Sequence, residues 1–276
     1  MIMKFTVESS VLTDSVQWVS RSLSTRPIMT ALLGIVIDVD SEVTLSASDL
    51  ETSAKSSFKA EISEKGRVLV PGRLLAEIAR SLPNKPTTFV LDGNRVQVTS
   101  GSAKFALPTL PLNEYPNLPK IPSTSGAIAS DLFATAVNQV AVAAGRDDSL
   151  PTLTGIHIEV NKSSITMAAT DRYRLAVREI PWTPTDPELT TSALLRARTL
   201  ADAARTIATT KELSFAIAPT TATERLIGFS TDTKSMTSRQ LDGTFPPYKH
   251  LIPTESASTA VIEVATLLEA VRRVAL

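Results

Sequence analysis

The sequence predicts an α+β protein made of repeated domains, each with two helices packed on antiparallel sheet. Two observations carry that prediction. The chain repeats itself at long range, and each copy runs through strand-like and helix-like periodicity in the same order. Four stretches recur at a spacing that drifts from about 121 to about 131 residues. Gly34-Ile35 with Ile37-Asp38-Val39 returns as Gly155-Ile156 with Ile158-Glu159-Val160. Leu45-Ser46-Ala47-Ser48-Asp49 returns as Met167-Ala168-Ala169-Thr170-Asp171. The run from Arg73 to Arg80 returns from Arg198 to Arg205, and Tyr115-Pro116 returns as Phe245-Pro246. A period this long belongs to whole domains, not to the roughly 20–50-residue units of a solenoid. Repeated domains on short linkers tend to build arcs and rings.

The copies divide the chain into residues 1–122, 126–252 and 257–276. The third copy starts and then stops. Val7, Ile128 and Ile262 align, then Leu12, Phe133 and Leu267, then Val16, Val137 and Val271. One amphipathic helix of about 15 residues cannot bury its apolar face alone. The expectation is therefore a chain cut off early in its third domain.

Each copy opens with a short strand and a helix. In the first, Lys4 to Glu8 alternates, and Leu12, Val16, Val19 and Leu23 then recur at helical spacing. Ser9 or Ser10 is the expected N-cap. Strands are expected at Leu33–Val39, Val43–Ser48, Ala54–Ile62 and Arg67–Val70, followed by a helix from Pro71 to Leu82. Asp92-Gly93-Asn94 reads as a hairpin turn between Thr88–Leu91 and Arg95–Thr99, with Ala103–Leu107 closing the copy. The second copy repeats the plan, with helices near Ser130–Ala143 and Arg198–Ala208. About eight strands and two helices per copy make the helices cover sheet faces.

Composition narrows the function classes. Hydrophobic residues make up 43% and charged residues 20%, as in ordinary globular domains. With no cysteine, disulfides, zinc ribbons and thiol nucleophiles are excluded together. The two histidines, His157 and His250, are far apart, so neither a metal site nor a cofactor is expected; His157 reads as an outward strand residue. No signal peptide or membrane span is evident, which predicts a cytoplasmic protein, with Met3 rather than Met1 a possible start. Lys plus Arg equals Asp plus Glu at 28 each, so a nucleic-acid-binding surface would have to be confined to one face.

The second helix of each copy offers such a face. Arg73 and Arg80 are two turns apart, and Arg198 and Arg205 repeat the spacing, with Arg196 just before them. The plainer reading is a solvated face with ion pairs from Arg73 to Glu77 and from Arg198 to Asp202. The sharper one is that the repeated basic faces present charge to the phosphates of a duplex.

Four motifs stand out: Met3-Lys4-Phe5-Thr6-Val7, Ser48-Asp49-Leu50-Glu51, Thr170-Asp171-Arg172-Tyr173-Arg174-Leu175-Ala176-Val177 and Phe245-Pro246-Pro247-Tyr248. Through them the chain, from Met3 to Leu276, resembles the bacterial sliding clamp, the β subunit of DNA polymerase III. It implies repeated DNA-clamp domains, with strands outside and helices lining a central hole. In the complete family protein two protomers close head to tail as a homodimer around duplex DNA, without reading sequence. It also implies the partners: the polymerase III catalytic subunit, the clamp loader, and other polymerases and repair proteins carrying clamp-binding peptides. By family position the DNA-binding residues are Arg26, Arg73, Arg80, Arg146, Arg196, Arg198 and Arg205. The partner-peptide pocket is assigned to Leu153, Thr170, Arg172, Tyr173, Arg174, Leu175, Pro246 and Leu251. Arg172 and Tyr173 depart from the small residue and histidine common in some clamps.

Two alternatives stand beside this. An enzyme would need a paired base or nucleophile, but Asp38, Asp49, Glu159 and Asp171 are scattered, and Thr170-Asp171 recurs as Ser48-Asp49 like a structural turn. A non-catalytic role is therefore expected. The other alternative is a ring-incompetent clamp fragment or decoy that only binds partner peptides, because closing the dimer needs third-domain surface that is mostly absent here.

Overall fold

The computed structural model describes residues 3–208, 210–218, 222 and 224–275. Met1, Ile2 and Leu276 lie outside the described residues. The chain forms two compact units, Met1–Gly243 and Thr244–Leu276.

The first repeat runs β1 (Met3–Glu8), α1 (Ser9–Ser20), β2 (Gly34–Val39), β3 (Val43–Ser48), β4 (Thr52–Phe58), β5 (Glu61–Glu64), β6 (Gly66–Pro71), α2 (Gly72–Ser81), β7 (Pro86–Asp92), β8 (Arg95–Ser100) and β9 (Ala103–Pro108). The second follows as β10 (Gly126–Ala129), α3 (Ser130–Ala141), β11 (Gly155–Asn161), β12 (Ser164–Thr170), β13 (Leu175–Pro181), β14 (Thr183–Pro184), β15 (Thr190–Arg196), α4 (Ala197–Ile207), β16 (Glu212–Ile217), β17 (Leu226–Ser230) and β18 (Lys234–Arg239). Element for element the order is the same.

The period-2 pattern of β1 places Met3, Phe5 and Val7 in the core and leaves Lys4 and Glu8 exposed. Phe5 stacks on Phe89 of the neighbouring strand with ring centroids 4.8 Å apart. On α1, Leu12, Val16 and Val19 are buried at helical spacing, and α1 packs on α2 as α3 packs on α4. The recurring glycine that opens β2 and β11 has a steric cause. A Cβ at Gly34 would lie 2.5 Å from Leu69 Cδ1, and one at Gly155 would lie 2.7 Å from Leu194 Cδ1.

Each repeat builds two sheets. The first contributes β5-β1-β7-β8-β9, and the second β13-β12-β11-β15. The remaining strands of both repeats merge into one antiparallel sheet of nine, β14-β10-β16-β17-β18-β4-β3-β2-β6. The merging contact is β18 against β4, running from Lys234 opposite Ser56 to Ser238 opposite Thr52.

Several local expectations are corrected. Each repeat has nine described strands rather than eight. The single strand expected at Ala54–Ile62 divides after Phe58, because β4 pairs with β3 whereas β5 crosses to the other sheet and pairs with β1. Neither Ser9 nor Ser10 caps α1. The helix follows β1 directly, Glu8 holds the capping position without a side-chain bond, and Ser9 is already inside the helix and buried. Pro71 ends β6 and takes the position before α2 instead of lying inside the helix. His157 alternates with the buried Ile156 and Ile158 as expected, but its side chain is half-buried, 17% exposed, with Nδ1 4.0 Å from Glu159.

In the second unit, Phe245 meets Tyr248 edge to face with centroids 5.9 Å apart. Farther on, α5 (Val264–Val274) leaves Leu267, Leu268 and Val271 exposed and carries an Arg273–Glu269 pair at 3.2 Å. Among the described residues, no helix is long and apolar enough to cross a membrane.

Candidate functional site

Two surfaces of the first unit gather most of the residues singled out above. One lies at the junction of the repeats. Trp18, near the end of α1, is buried there, and its indole N–H donates to the carbonyl of Lys55 on β4 at 2.9 Å and of Ser235 on β18 at 3.3 Å. The Lys234 ammonium sits 5.9 Å from the Trp18 ring centroid and pairs with Asp14 at 2.7 Å. One aromatic side chain thus ties both strands of the merging contact to α1.

Beside it opens a cavity of about 900 Å³, lined by the end of α1, the loop after it, the loop after α3 and the start of α4. Arg26, Arg146, Arg196, Arg198 and Arg205 all line it. Arg73 and Arg80 do not; both are exposed on α2. The expected ion pairs also differ. Among the described residues Arg73 has no carboxylate within 4.0 Å, and Asp202 pairs with Arg205 at 3.5 Å rather than with Arg198. The i,i+3 geometry of Arg205 simply reaches Asp202 first, which leaves the exposed Arg198 without a carboxylate partner among the described residues.

Arg196 is a fork across the junction. Its guanidinium lies 3.5 Å from Glu51 of the first repeat and 3.4 Å from Asp148. Arg21, which the sequence reading missed, also lines the cavity and donates to the backbone carbonyl of Asp202. Its signal was a lone arginine at a helix end, indistinguishable from a solvated one without the second repeat beside it. Six arginines therefore share the cavity with four carboxylates, Asp49, Glu51, Asp148 and Asp202. The balance is basic but partly neutralised. Such a surface attracts phosphate without gripping it, since each exposed pair is worth about 0–1 kcal/mol.

The other surface is a turn and the hollow next to it. Between β12 and β13, the Thr170 hydroxyl donates to the Arg174 carbonyl at 2.7 Å and accepts from the Arg172 N–H at 3.1 Å. The Asp171 carboxylate accepts from the N–H groups of Tyr173 and Arg174 at 3.0 and 3.1 Å, and from Arg174 Nε at 3.0 Å. Between β3 and β4 the same network recurs. The Ser48 hydroxyl donates to Thr52 at 2.9 Å and accepts from Leu50 at 3.0 Å, and Asp49 accepts from Glu51 and Thr52 at 3.1 and 2.7 Å. Both turns hold a non-glycine residue at positive φ, Leu50 at 78° and Arg172 at 80°. Thr170 and Asp171 are turn-builders, and the strain at Arg172 is held by their four backbone contacts.

A cavity of about 490 Å³ lies against this turn. Leu150 and Leu153 line it with Arg146, Arg172, Tyr173 and Arg174. Leu153 is buried, whereas Tyr173 is 91% exposed, a large apolar ring held out in water by the turn. Of the residues assigned to a peptide pocket, the structure gathers Leu153, Arg172, Tyr173 and Arg174. Thr170 shapes the turn from beneath, and Leu175 starts β13 outside the cavity. Pro246 and Leu251 belong to the separate Thr244–Leu276 unit, where Leu251 is exposed.

Comparison with known proteins places this geometry. The family model described as DNA polymerase III beta subunit, N-terminal domain, matches residues 3–119, and the one described as its central domain matches residues 127–247. The beta sliding clamp of Streptomyces coelicolor is 48% identical over 275 residues, covering 99% of this chain and 73% of that protein. The beta sliding clamp of Micrococcus luteus is 46% identical, covering 99% and 88%. The crystal structure of the Bacillus subtilis DNA polymerase sliding clamp superposes with a TM-score of 0.90 at 27% identity, covering 100% of this chain and 74% of that one. A Pseudomonas aeruginosa sliding clamp solved with griselimycin bound superposes with a TM-score of 0.86 at 25% identity, covering 99% and 74%.

Proposed function

Because this chain belongs to the DNA polymerase III β-subunit family of sliding clamps, we propose that its repeats form part of a ring that holds duplex DNA loosely and tethers the replicative polymerase through a linear peptide. As a sliding clamp it is a non-catalytic processivity factor. A cytoplasmic location follows from that role in bacterial replication.

The observation that carries the ring is the pairing of β18 with β4. In repeat order, β9 is the counterpart of β18, and β13 is the counterpart of β4. Among the described residues β9 and β13 are both sheet edges. The unit therefore keeps one free copy of each half of the joint that already unites its repeats. Exposed edges invite strand addition, and a head-to-tail joint repeated with constant rotation closes a ring. A third repeat would add to β13, and a second protomer would reach β9. This reading favours a clamp over a free-standing decoy.

The arginines at the junction, with Arg73 and Arg80 on α2, are assigned to the phosphates, and partial neutralisation by Glu51, Asp148 and Asp202 keeps contacts weak enough for sliding. The hollow at Leu153, Arg172, Tyr173 and Arg174 is assigned to peptides of the polymerase, the clamp loader and repair proteins. The test is primer extension by polymerase III under single-binding conditions. Longer products on adding the clamp and its loader support the reading; unchanged product length contradicts it.

A further inference from the structure

The joint between the repeats sets a large residue against a small one. On the face turned to the core, Met236 of β18 lies opposite Ala54 of β4, and Lys234 lies opposite Ser56. On the other face Ser235 lies opposite Lys55. No like charges meet. An antiparallel joint draws its specificity from such cross-strand pairs, added to its backbone ladder.

The two free edges carry the counterparts of these residues. Phe105 of β9 faces Val98 and through it Phe89, as Met236 faces Phe229 and through it Phe215. Ala176 of β13 faces Ala169, as Ala54 faces Ala47. Repeating the register of the joint therefore sets β9 of one copy against β13 of another with Phe105 opposite Ala176. Large again meets small, and both side chains already pack on the core. Ala103 then falls opposite Arg178, so the cation that β18 carries at Lys234 has moved to the other strand. Lys104 falls opposite Val177, so the lysine of the outer pair has crossed as well. Lys104 also lies diagonal to Glu179, within reach of a long side chain. The exchanges compensate across the joint. A slip of one residue would turn Phe105 and Ala176 to opposite faces.

We propose that β9 of one copy of this chain pairs with β13 of a second, antiparallel and in this register, so that the chain associates with itself head to tail. The proposal rests on the reading of β9 and β13 as the free halves of the repeat joint. Lys104 and Arg178 on the edges, with Pro108 and Pro181 at their ends, blunt both strands against chance partners. A partner must bring the matching edge, and a second copy carries it.

The chain has no cysteine, so introduced thiols report only the chosen pair. Directly opposed residues of an antiparallel pair have Cα atoms about 4.5–5.5 Å apart, within disulfide reach, whereas diagonal neighbours at about 7–8 Å lie beyond it. Lys104 and Val177 are both exposed, so Lys104→Cys and Val177→Cys leave the core intact. Under mild oxidation a mixture of the two variants is expected to form a linked two-chain product that neither variant forms alone. Ala106→Cys mixed with Val177→Cys, diagonal in the same register, should link at least about threefold more slowly. The average mass of the unmodified chain in sedimentation should rise with concentration above that of one copy. Linking of one variant with itself, equal linking in the two mixtures, or a mass fixed at one copy at every concentration would overturn the proposal. Those results would leave the ring reading standing, because a joint to a further repeat needs none between copies; primer extension decides that reading separately.

Discussion

Asp49 and Asp171 hold the same place in two copies of one turn, each accepting two backbone N–H groups, yet their surroundings push them in opposite directions. Burial raises the Asp49 carboxyl above its ordinary value, only partly offset by the N–H groups of Thr52 and Glu51. Burial also pulls Asp171 upward, but the N–H groups of Tyr173 and Arg174 and the Arg174 guanidinium outweigh it and hold the carboxyl below the usual range. Arg196 and Arg239 of the second repeat cover the turn of the first, whereas Arg172 and Tyr173 leave that of the second exposed.

Opposite pH responses follow. In the window above the ordinary carboxylate value, folded Asp49 keeps a proton that the unfolded chain has lost, so stability falls as pH rises through it. Asp171 releases its proton earlier when folded, so its contribution is present above the ordinary value and is lost as pH falls through the lowered one. Urea midpoints of Asp49→Asn should lose the first slope and equal or exceed wild type at neutral pH. Those of Asp171→Asn should be lower at neutral pH and converge with wild type in acid.

Replacing Trp18 by phenylalanine should weaken the junction. An aromatic ring is kept, though a smaller one, and the half-buried carbonyls of Lys55 and Ser235 lose their shared donor. A loss of about 1–3 kcal/mol is expected in urea unfolding, accompanied by faster amide exchange on β4 and β18. Exchange unchanged at both strands would mean that the indole is not what ties them.

Tyr115→Phe should be neutral or stabilising. The hydroxyl is buried and finds no hydrogen-bond partner among the described residues; burial raises its pKa, and the Ser48 backbone lies near without reaching bonding geometry. The repeat itself uses Phe245 at the equivalent position. Removing an unsatisfied polar atom recovers part of a desolvation cost of about 1–3 kcal/mol, readable as a higher thermal midpoint.

Much of this was legible in the chain. The doubled order of elements, the arginine spacing of α2 and α4 and the twin Ser48-Asp49 and Thr170-Asp171 turns all rest on local patterns that survive duplication. The failures share a physical cause. The division of β4 from β5, the direct start of α1 at Ser9 and the partial cover of His157 depend on which distant segment each one meets. The pairing of β18 with β4 joins residues about 180 apart without a local signature. Arg21 and the Arg196 fork become visible only once that pairing brings the repeats together.

Arg198 distinguishes a phosphate contact from a solvated side chain, because among the described residues no carboxylate lies within 4.0 Å of it. Arg198→Glu should lower affinity for duplex DNA at low salt and flatten the dependence on salt, with log K changing by about one unit less per decade of salt. An unaltered slope with intact folding would return Arg198 to the solvated face.

The central claim is that the clamp holds DNA by enclosing it. Retention on a plasmid, loaded with clamp loader and ATP and followed by gel filtration in high salt, tests this most directly. Enclosure predicts that the protein stays with circular DNA and is lost once the circle is cut. Equal retention on circular and linear DNA, or none on either, would contradict it.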